Sequence, residues 1–100
     1  MAENKLTYII VLNYNAYQDT IDCLKSILNL SSKYYKIVFV DNASTDSSVT
    51  NIQKWITANF YNNIKILKSN NNGGYSLGNN LGIQYALKED DCEYIWILNN

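Results

Sequence analysis

Ile37-Val38-Phe39-Val40-Asp41-Asn42-Ala43-Ser44-Thr45-Asp46 is the stretch whose reading decides the fold. Its first four residues are all β-branched or aromatic, with no polar alternation, as expected of a strand covered on both faces in a parallel sheet. It then breaks into a carboxylate, an amide and hydroxyls, so it delivers polar groups to one sheet edge. Residues 6 to 12 repeat the apolar pattern and are read as the first strand. Between the two runs, apolar residues recur from Tyr17 through Ile21, Leu24, Ile27 and Leu28, a helical period that leaves Asp19, Asp22 and Lys25 to solvent.

Downstream the alternation continues. Val49, Ile52, Ile56 and Phe60 mark a second amphipathic helix, opened by a Ser/Thr/Asp cluster suited to N-capping. Residues 64 to 68 carry Lys65 and Lys68 and suit an edge strand, where charge discourages pairing with other chains. An Asn-Gly-rich turn at residues 70 to 74 precedes a third helix carrying Leu77, Leu81, Ile83, Tyr85, Ala86 and Leu87, and residues 93 to 98 form a fourth strand. Strict alternation of strand and helix predicts parallel strands joined by right-handed crossovers. The expected fold class is α/β, a Rossmann-like parallel sheet of order 3-2-1-4 with helices on both faces. The order reverses direction between strands one and four, and open sheets of this kind bind ligands at the carboxyl ends of strands near such a point.

Bulk properties narrow the function classes. The 100 residues are the size of one domain, expected to span the whole chain. With 8 Lys and Arg against 9 Asp and Glu and no basic cluster, the chain lacks the charge footprint of a nucleic-acid binder. No stretch reads as a signal peptide or reaches the roughly 20 apolar residues of a membrane span, so the cytoplasm is the expected location. Cys23 and Cys92 stand in no metal or redox spacing and are expected to be buried reduced thiols, and the absence of histidine excludes a His-containing zinc site.

Candidate chemistry gathers at the carboxyl edge. Leu12-Asn13-Tyr14-Asn15-Ala16 has no glycine, so the dinucleotide fingerprint is absent where it would count, and Gly73-Gly74-Tyr75-Ser76-Leu77-Gly78 lacks the Lys-Ser/Thr ending of a P-loop. Asp41 and Asn42 can accept hydrogen bonds from a pyrimidine N3–H or a ribose hydroxyl, or they can tie the turn by bonding the backbone. Asp46 can face a ligand or cap the second helix. Tyr14 can stack a nucleobase or belong to the core. Gly78 and Gly82 each cost about 1 kcal/mol relative to alanine inside a helix, which close packing on the sheet would repay. Asn79 and Asn80 can bond a ligand or the loops around it. Asp90-Asp91 precedes the fourth strand, at the amino edge and away from the cleft, and reads as a solvated loop.

Four blocks together carry a resemblance: Ile10-Val11-Leu12-Asn13-Tyr14-Asn15, Val40-Asp41-Asn42-Ala43-Ser44-Thr45-Asp46, Asn72-Gly73-Gly74-Tyr75 with Gly78-Asn79-Asn80-Leu81-Gly82-Ile83, and Tyr94-Ile95-Trp96-Ile97-Leu98-Asn99-Asn100. In order and spacing the chain resembles family 2 glycosyltransferases, and its Val-Asp-Asn-Ala-Ser and Leu-Asn-Asn variants resemble the rhamnosyltransferase-like branch that builds bacterial surface polysaccharides. The resemblance implies the nucleotide-binding half of a GT-A fold. It also implies transfer of a sugar from a nucleoside diphosphate sugar, UDP- or dTDP-linked, to a hydroxyl of a saccharide acceptor, usually with inversion and with Mg²⁺ or Mn²⁺.

By the same resemblance Leu12, Asn13 and Tyr14 line the nucleoside pocket and Asp41 and Asn42 contact base and ribose. Asn72, Gly73, Gly74, Asn79 and Asn80 lie beside the nucleotide and donor sugar. Many relatives carry Arg or Lys near that helix start where this chain has Gly78-Asn79-Asn80. The metal motif falls at Asn99 and Asn100, with its main carboxylate expected after the last residue. The chain therefore reads as the amino-terminal part of an enzyme, inactive alone, that can sit at the inner membrane surface when whole. It is expected to self-associate through the apolar flank around Ile95, Trp96 and Ile97. The competing reading from another class is a non-catalytic, flavodoxin-like binding or assembly domain.

Overall fold

The computed structural model describes residues 5–70 and 74–98, apart from the Tyr75 side chain. In chain order the elements are β1 (Leu6–Asn13), α1 (Tyr17–Leu28), β2 (Tyr35–Asp41), α2 (Ser48–Ala58), β3 (Ile64–Lys68), α3 (Gly74–Leu87) and β4 (Cys92–Leu98). The strands form one parallel sheet of order β3-β2-β1-β4, so the expected topology holds. β3 is an edge strand, as its lysines suggested.

Alternation along the strands builds two cores. Ile9, Val11, Ile37 and Phe39 face one way and pack with Ile21, Leu24 and Ile27 of α1 and Ile52 and Ile56 of α2. Ile10, Leu12, Val38 and Val40 face the other way, toward Leu81 and Ala86 of α3. The central strands are thus apolar at every position because each face is covered by helix, which is why their sequence shows no period of two.

Both helical glycines are explained by this packing. A Cβ at Gly82 would lie 2.8 Å from Ile10 Cγ2 and 3.2 Å from Val40 Cγ2, and one at Gly78 would meet the tip of Leu12. α3 therefore rests directly on β1 and β2.

Three details depart from the sequence reading. Phe60, taken as the last apolar position of the second helix, lies beyond the end of α2. It is 89 % exposed at φ +57°, in the place after the C-cap where glycine is usual. Cys23 and Cys92 are half-buried rather than buried, with burial pushing both thiols upward. Asp91 is no solvated loop residue: it accepts a 2.5 Å hydrogen bond from the Tyr8 phenol and pairs with Lys36 at 3.1 Å, tying β1, β2 and the start of β4 at the amino edge. Among the described residues, no helix is long and apolar enough to cross a membrane.

Candidate functional site

The carboxyl edge is organised around Asn13 and Asp41, the last residues of β1 and β2, which pair directly in the sheet register. Strand alternation turns both side chains to the α1/α2 face, where they are 1 % and 3 % exposed. Buried polar groups need partners, because an unpaired one costs roughly 1–3 kcal/mol. Here they find one another. Asn13 Nδ2 donates to Asp41 Oδ1 at 2.9 Å, while Asn13 Oδ1 accepts from the Thr20 hydroxyl at 2.7 Å, reaching into α1.

Ser44 completes the arrangement. Its hydroxyl donates to Asp41 Oδ1 at 2.6 Å and its backbone N–H to Asp41 Oδ2 at 2.9 Å. Asp41 therefore does tie its turn. The carboxylate has about four lone-pair sites and three are taken by these donors, so among the described residues Oδ2 keeps acceptor capacity for one more N–H or O–H. Ala43, between Asn42 and Ser44, sits at φ +60°, a left-handed conformation costing a non-glycine residue roughly 1–2 kcal/mol. Such strain concentrates where a loop is held to a required shape.

Asn42 points to the opposite face, as the next residue along an extended chain should. Its Nδ2 donates to the Gly74 carbonyl at 3.2 Å, fastening the start of α3 to the end of β2. Leu12 lies on that same face under Gly78. Asp46 Oδ1 accepts from the Ser48 backbone N–H at 2.8 Å, a bond two residues on that satisfies a free donor at the start of α2, although the N-cap position itself is Ser47 and Asp46 precedes it.

Beside Asp41 opens a hollow of about 430 Å³, walled by Asp41, Ala43, Ser44 and Asp46 on one side and by Lys68 and Asn70 on the other. This lies within the range of small-ligand sites, roughly 300–1,000 Å³. Its walls do not include Tyr14, which directly follows β1 and is 45 % exposed, outside the core. Asn79 is half-buried, with no partner for its Oδ1 among the described residues, and Asn80 is exposed on α3. Asn72, Gly73, Asn99 and Asn100 lie outside the described residues.

The structure thus joins Asn13 with Asp41, and Asn42 with Gly74, but leaves Tyr14 apart from the Asp41 hollow. Sequence reasoning placed residues 12 to 15 and 41 to 46 at this edge but gave Asn15, Ser44 and Thr45 no part in it, and it missed Lys68 as part of the edge. For Ser44 and Thr45 the only signal was their place directly after the second strand, and for Lys68 its place at the end of β3.

Metal ligation can be tested on the described residues. No group of three His, Cys, Asp or Glu converges among them. The cleft carboxylates, Asp41 and Asp46, are turned onto their own loops. They do not fit a divalent-cation centre.

Comparison with known proteins agrees with this fold. The chain is 33 % identical over 91 residues to the low-salt glycan biosynthesis hexosyltransferase Agl10 of Haloferax volcanii, covering 91 % of this chain and 26 % of that protein. The mannosyltransferase PcManGT from Pyrobaculum calidifontis, solved with GDP-Man and Mn²⁺, superposes with a TM-score of 0.72 at 19 % identity, covering 84 % of this chain and 25 % of that one. S. aureus TarS, solved with UDP, gives 0.73 at 20 % identity over 94 % of this chain and 27 % of its own. The chain spans about a quarter of the length of these relatives. Its parallel β3-β2-β1-β4 sheet is that of GT-A glycosyltransferases. The profile of glycosyl transferase family 2 matches residues 8–100, and with nearly every residue of the sheet and its polar edge inside that match, the chain belongs to this family.

Proposed function

We propose that this chain is the donor-binding part of a glycosyltransferase that moves a sugar from a nucleoside diphosphate sugar to a hydroxyl of a saccharide acceptor, with inversion, in the synthesis of surface polysaccharide. The observation that carries the reading is the Asp41 carboxylate, held by three donors beside a nucleoside-sized hollow with one acceptor site to spare. The N3–H of uracil or thymine and a ribose hydroxyl are donors of the required kind, which favours a UDP- or dTDP-linked sugar. Lys68 places a cation in the same wall. The start of α3, tied to Asn42, brings helix N–H groups to this edge, where the helix dipole favours an anion such as a diphosphate.

In this reading Leu12, Asn13 and Tyr14 border the nucleoside, Asp41 and Asn42 meet base and ribose, and Asn72, Gly73, Gly74, Asn79 and Asn80 lie along the diphosphate and sugar. Mg²⁺ or Mn²⁺ serves the whole enzyme, with Asn99 and Asn100 marking the motif that receives it. When bound, such an ion neutralises charge on the leaving diphosphate. PcManGT in complex with GDP-Man and Mn²⁺, and TarS with UDP, support a nucleotide donor and a divalent ion. The Val-Asp-Asn-Ala-Ser variant at 40–44 favours the rhamnosyltransferase-like branch. The cytoplasm, at the inner membrane surface, is the matching location. Residues 1–100 bind donor but do not transfer.

The test is release of nucleoside diphosphate from a panel of UDP-, dTDP- and GDP-sugars by the protein that carries this chain, with and without Mg²⁺ or Mn²⁺. Metal-dependent release from one donor class is expected, and EDTA abolishes it. Failure with every donor and acceptor refutes the proposal, and robust turnover by residues 1–100 alone refutes the placement of the catalytic groups elsewhere.

A further inference from the structure

Asn15 directs both ends of its side-chain amide onto one neighbouring loop. It lies on the surface at φ +49°, a left-handed conformation that asparagine tolerates better than most residues. Its Oδ1 accepts from the backbone N–H groups of Thr45 at 2.8 Å and Asp46 at 3.2 Å, and its Nδ2 donates to the Thr45 hydroxyl at 3.1 Å. Its own backbone N–H donates to Ser44 Oγ at 2.9 Å.

Ser44 passes the contact inward. Its hydroxyl accepts from Asn15 N and Asn13 Nδ2 and donates to Asp41 Oδ1, which exhausts the one donor and two acceptor sites of a hydroxyl. A continuous path therefore runs from the surface amide of Asn15, through the loop at residues 44 to 46, to the buried carboxylate of Asp41. Asn15 is exposed, so burial does not explain why its side chain is committed in this way; joining two loops does. One loop carries Tyr14 and the other walls the hollow beside Asp41.

We propose that Asn15 is a positioning residue, a latch between the β1–α1 and β2–α2 loops that holds Ser44, and through it Asp41, in the orientation that receives the nucleotide. The inference rests on the donor-binding reading above. Without the latch the loop loses three anchoring hydrogen bonds at Thr45 and Asp46, and the turn that carries Ser44 is held only through Asn13, Asp41 and the backbone N–H of residue 15, so Asp41 meets the ligand on a looser support. A merely structural staple would lower stability and leave affinity unchanged, which separates the two roles.

The experiment titrates the protein with UDP, dTDP and GDP by calorimetry, for the unaltered protein and for Asn15→Gly, Asn15→Asp and Asp41→Ala, each well below its melting temperature. Gly keeps the left-handed backbone but removes the latch, and its affinity is expected to fall about tenfold, the equivalent of one or two net hydrogen bonds. Asp keeps both the backbone preference and an acceptor for the two loop N–H groups, and is expected to bind within about threefold of the unaltered protein. Thr45→Val removes only the acceptor of Asn15 Nδ2 and reads the same latch, with a smaller loss, should Asn15→Gly fail to fold. Unchanged affinity in Asn15→Gly, while Asp41→Ala loses binding, overturns the latch and leaves the donor-binding reading intact. Equal losses in Asn15→Gly and Asn15→Asp also overturn it. No saturable binding of any of the three nucleotides by the unaltered protein overturns the donor-binding reading, and the latch with it.

Discussion

Replacing Gly82 by alanine tests how closely α3 lies on the sheet. The added Cβ would sit 2.8 Å from Ile10 Cγ2, 3.2 Å from Val40 Cγ2 and 3.3 Å from Ile10 Cδ1. Cγ2 is a branch methyl fixed directly to the Ile10 β-carbon, and Ile10 and Val40 are fully buried, so neither can step aside without moving backbone. Overpacking of this kind costs about 1–3 kcal/mol, while the helix propensity of alanine returns about 1 kcal/mol, for a net loss near 1 kcal/mol. In a domain of this size that lowers the melting temperature by about 4–8 °C. Gly78→Ala is the internal control. Its closest contact is with Leu12 Cδ1, the far end of a flexible side chain that can rotate away. The rotation costs about 0.5–1.5 kcal/mol and roughly cancels the propensity gain, so this variant should melt close to the parent. Thermal melts followed by circular dichroism read both. A Gly82→Ala variant as stable as the parent, or more stable than Gly78→Ala, would refute the reasoning.

Four other outcomes follow from the structure. Phe60→Gly places glycine at the left-handed position after α2 and gives up little packing, so it should raise stability by about 1 kcal/mol, measured by urea denaturation; a loss of that size would show that the exposed ring is packed after all. Asp91 is held below the usual carboxylate range, first by the Tyr8 hydrogen bond and then by Lys36. Its folded pKa is the depressed one, so its contribution is present above about pH 4 and is lost as pH falls through the folded value, and Asp91→Asn should flatten the acid limb of a melting-temperature profile. Tyr8 has the opposite sign, since burial and the Asp91 bond raise its phenol, and its contribution is kept below about pH 10 and lost above. Finally, the outer edge of β4 is uncovered among the described residues, with Trp96 46 % exposed and Ile97 beside it. Residues 1–100 should therefore self-associate, and Trp96→Lys should reduce the effect; a strictly monomeric mass at high concentration would contradict this.

Much of the fold was legible because covered parallel strands advertise themselves as unbroken apolar runs. Residues 37 to 40 and 6 to 12, with amphipathic helices between and after them, leave few arrangements once crossovers are right-handed. Gly78 and Gly82 were legible through their cost, which close approach to the sheet or to a ligand, or a later helix start, would repay, and packing on β1 and β2 is the one the structure shows. The links between distant loops were not legible. Asn15 meets Ser44, Thr45 and Asp46 only because the register sets Asn13 against Asp41, and local periodicity carries no record of register. Phe60 misled for a related reason: four residues past Ile56 it fits the helical period, although α2 has already ended. Asp91 was read from its neighbours in sequence, whereas its partners come from β1 and β2.

Nucleoside diphosphate binding at the carboxyl edge between β1, β2 and β3 underlies the proposed function. Backbone amide shifts of the isotope-labelled chain during titration with UDP, dTDP and GDP test it most directly. Saturable shifts at Asn13, Asn15, Asp41, Asn42, Ser44 and Lys68 are expected with one of the three, while Lys36 and Asp91 at the opposite edge stay still. Absence of shifts with all three, or shifts centred on the amino edge around Tyr8, Lys36 and Asp91, would contradict the account.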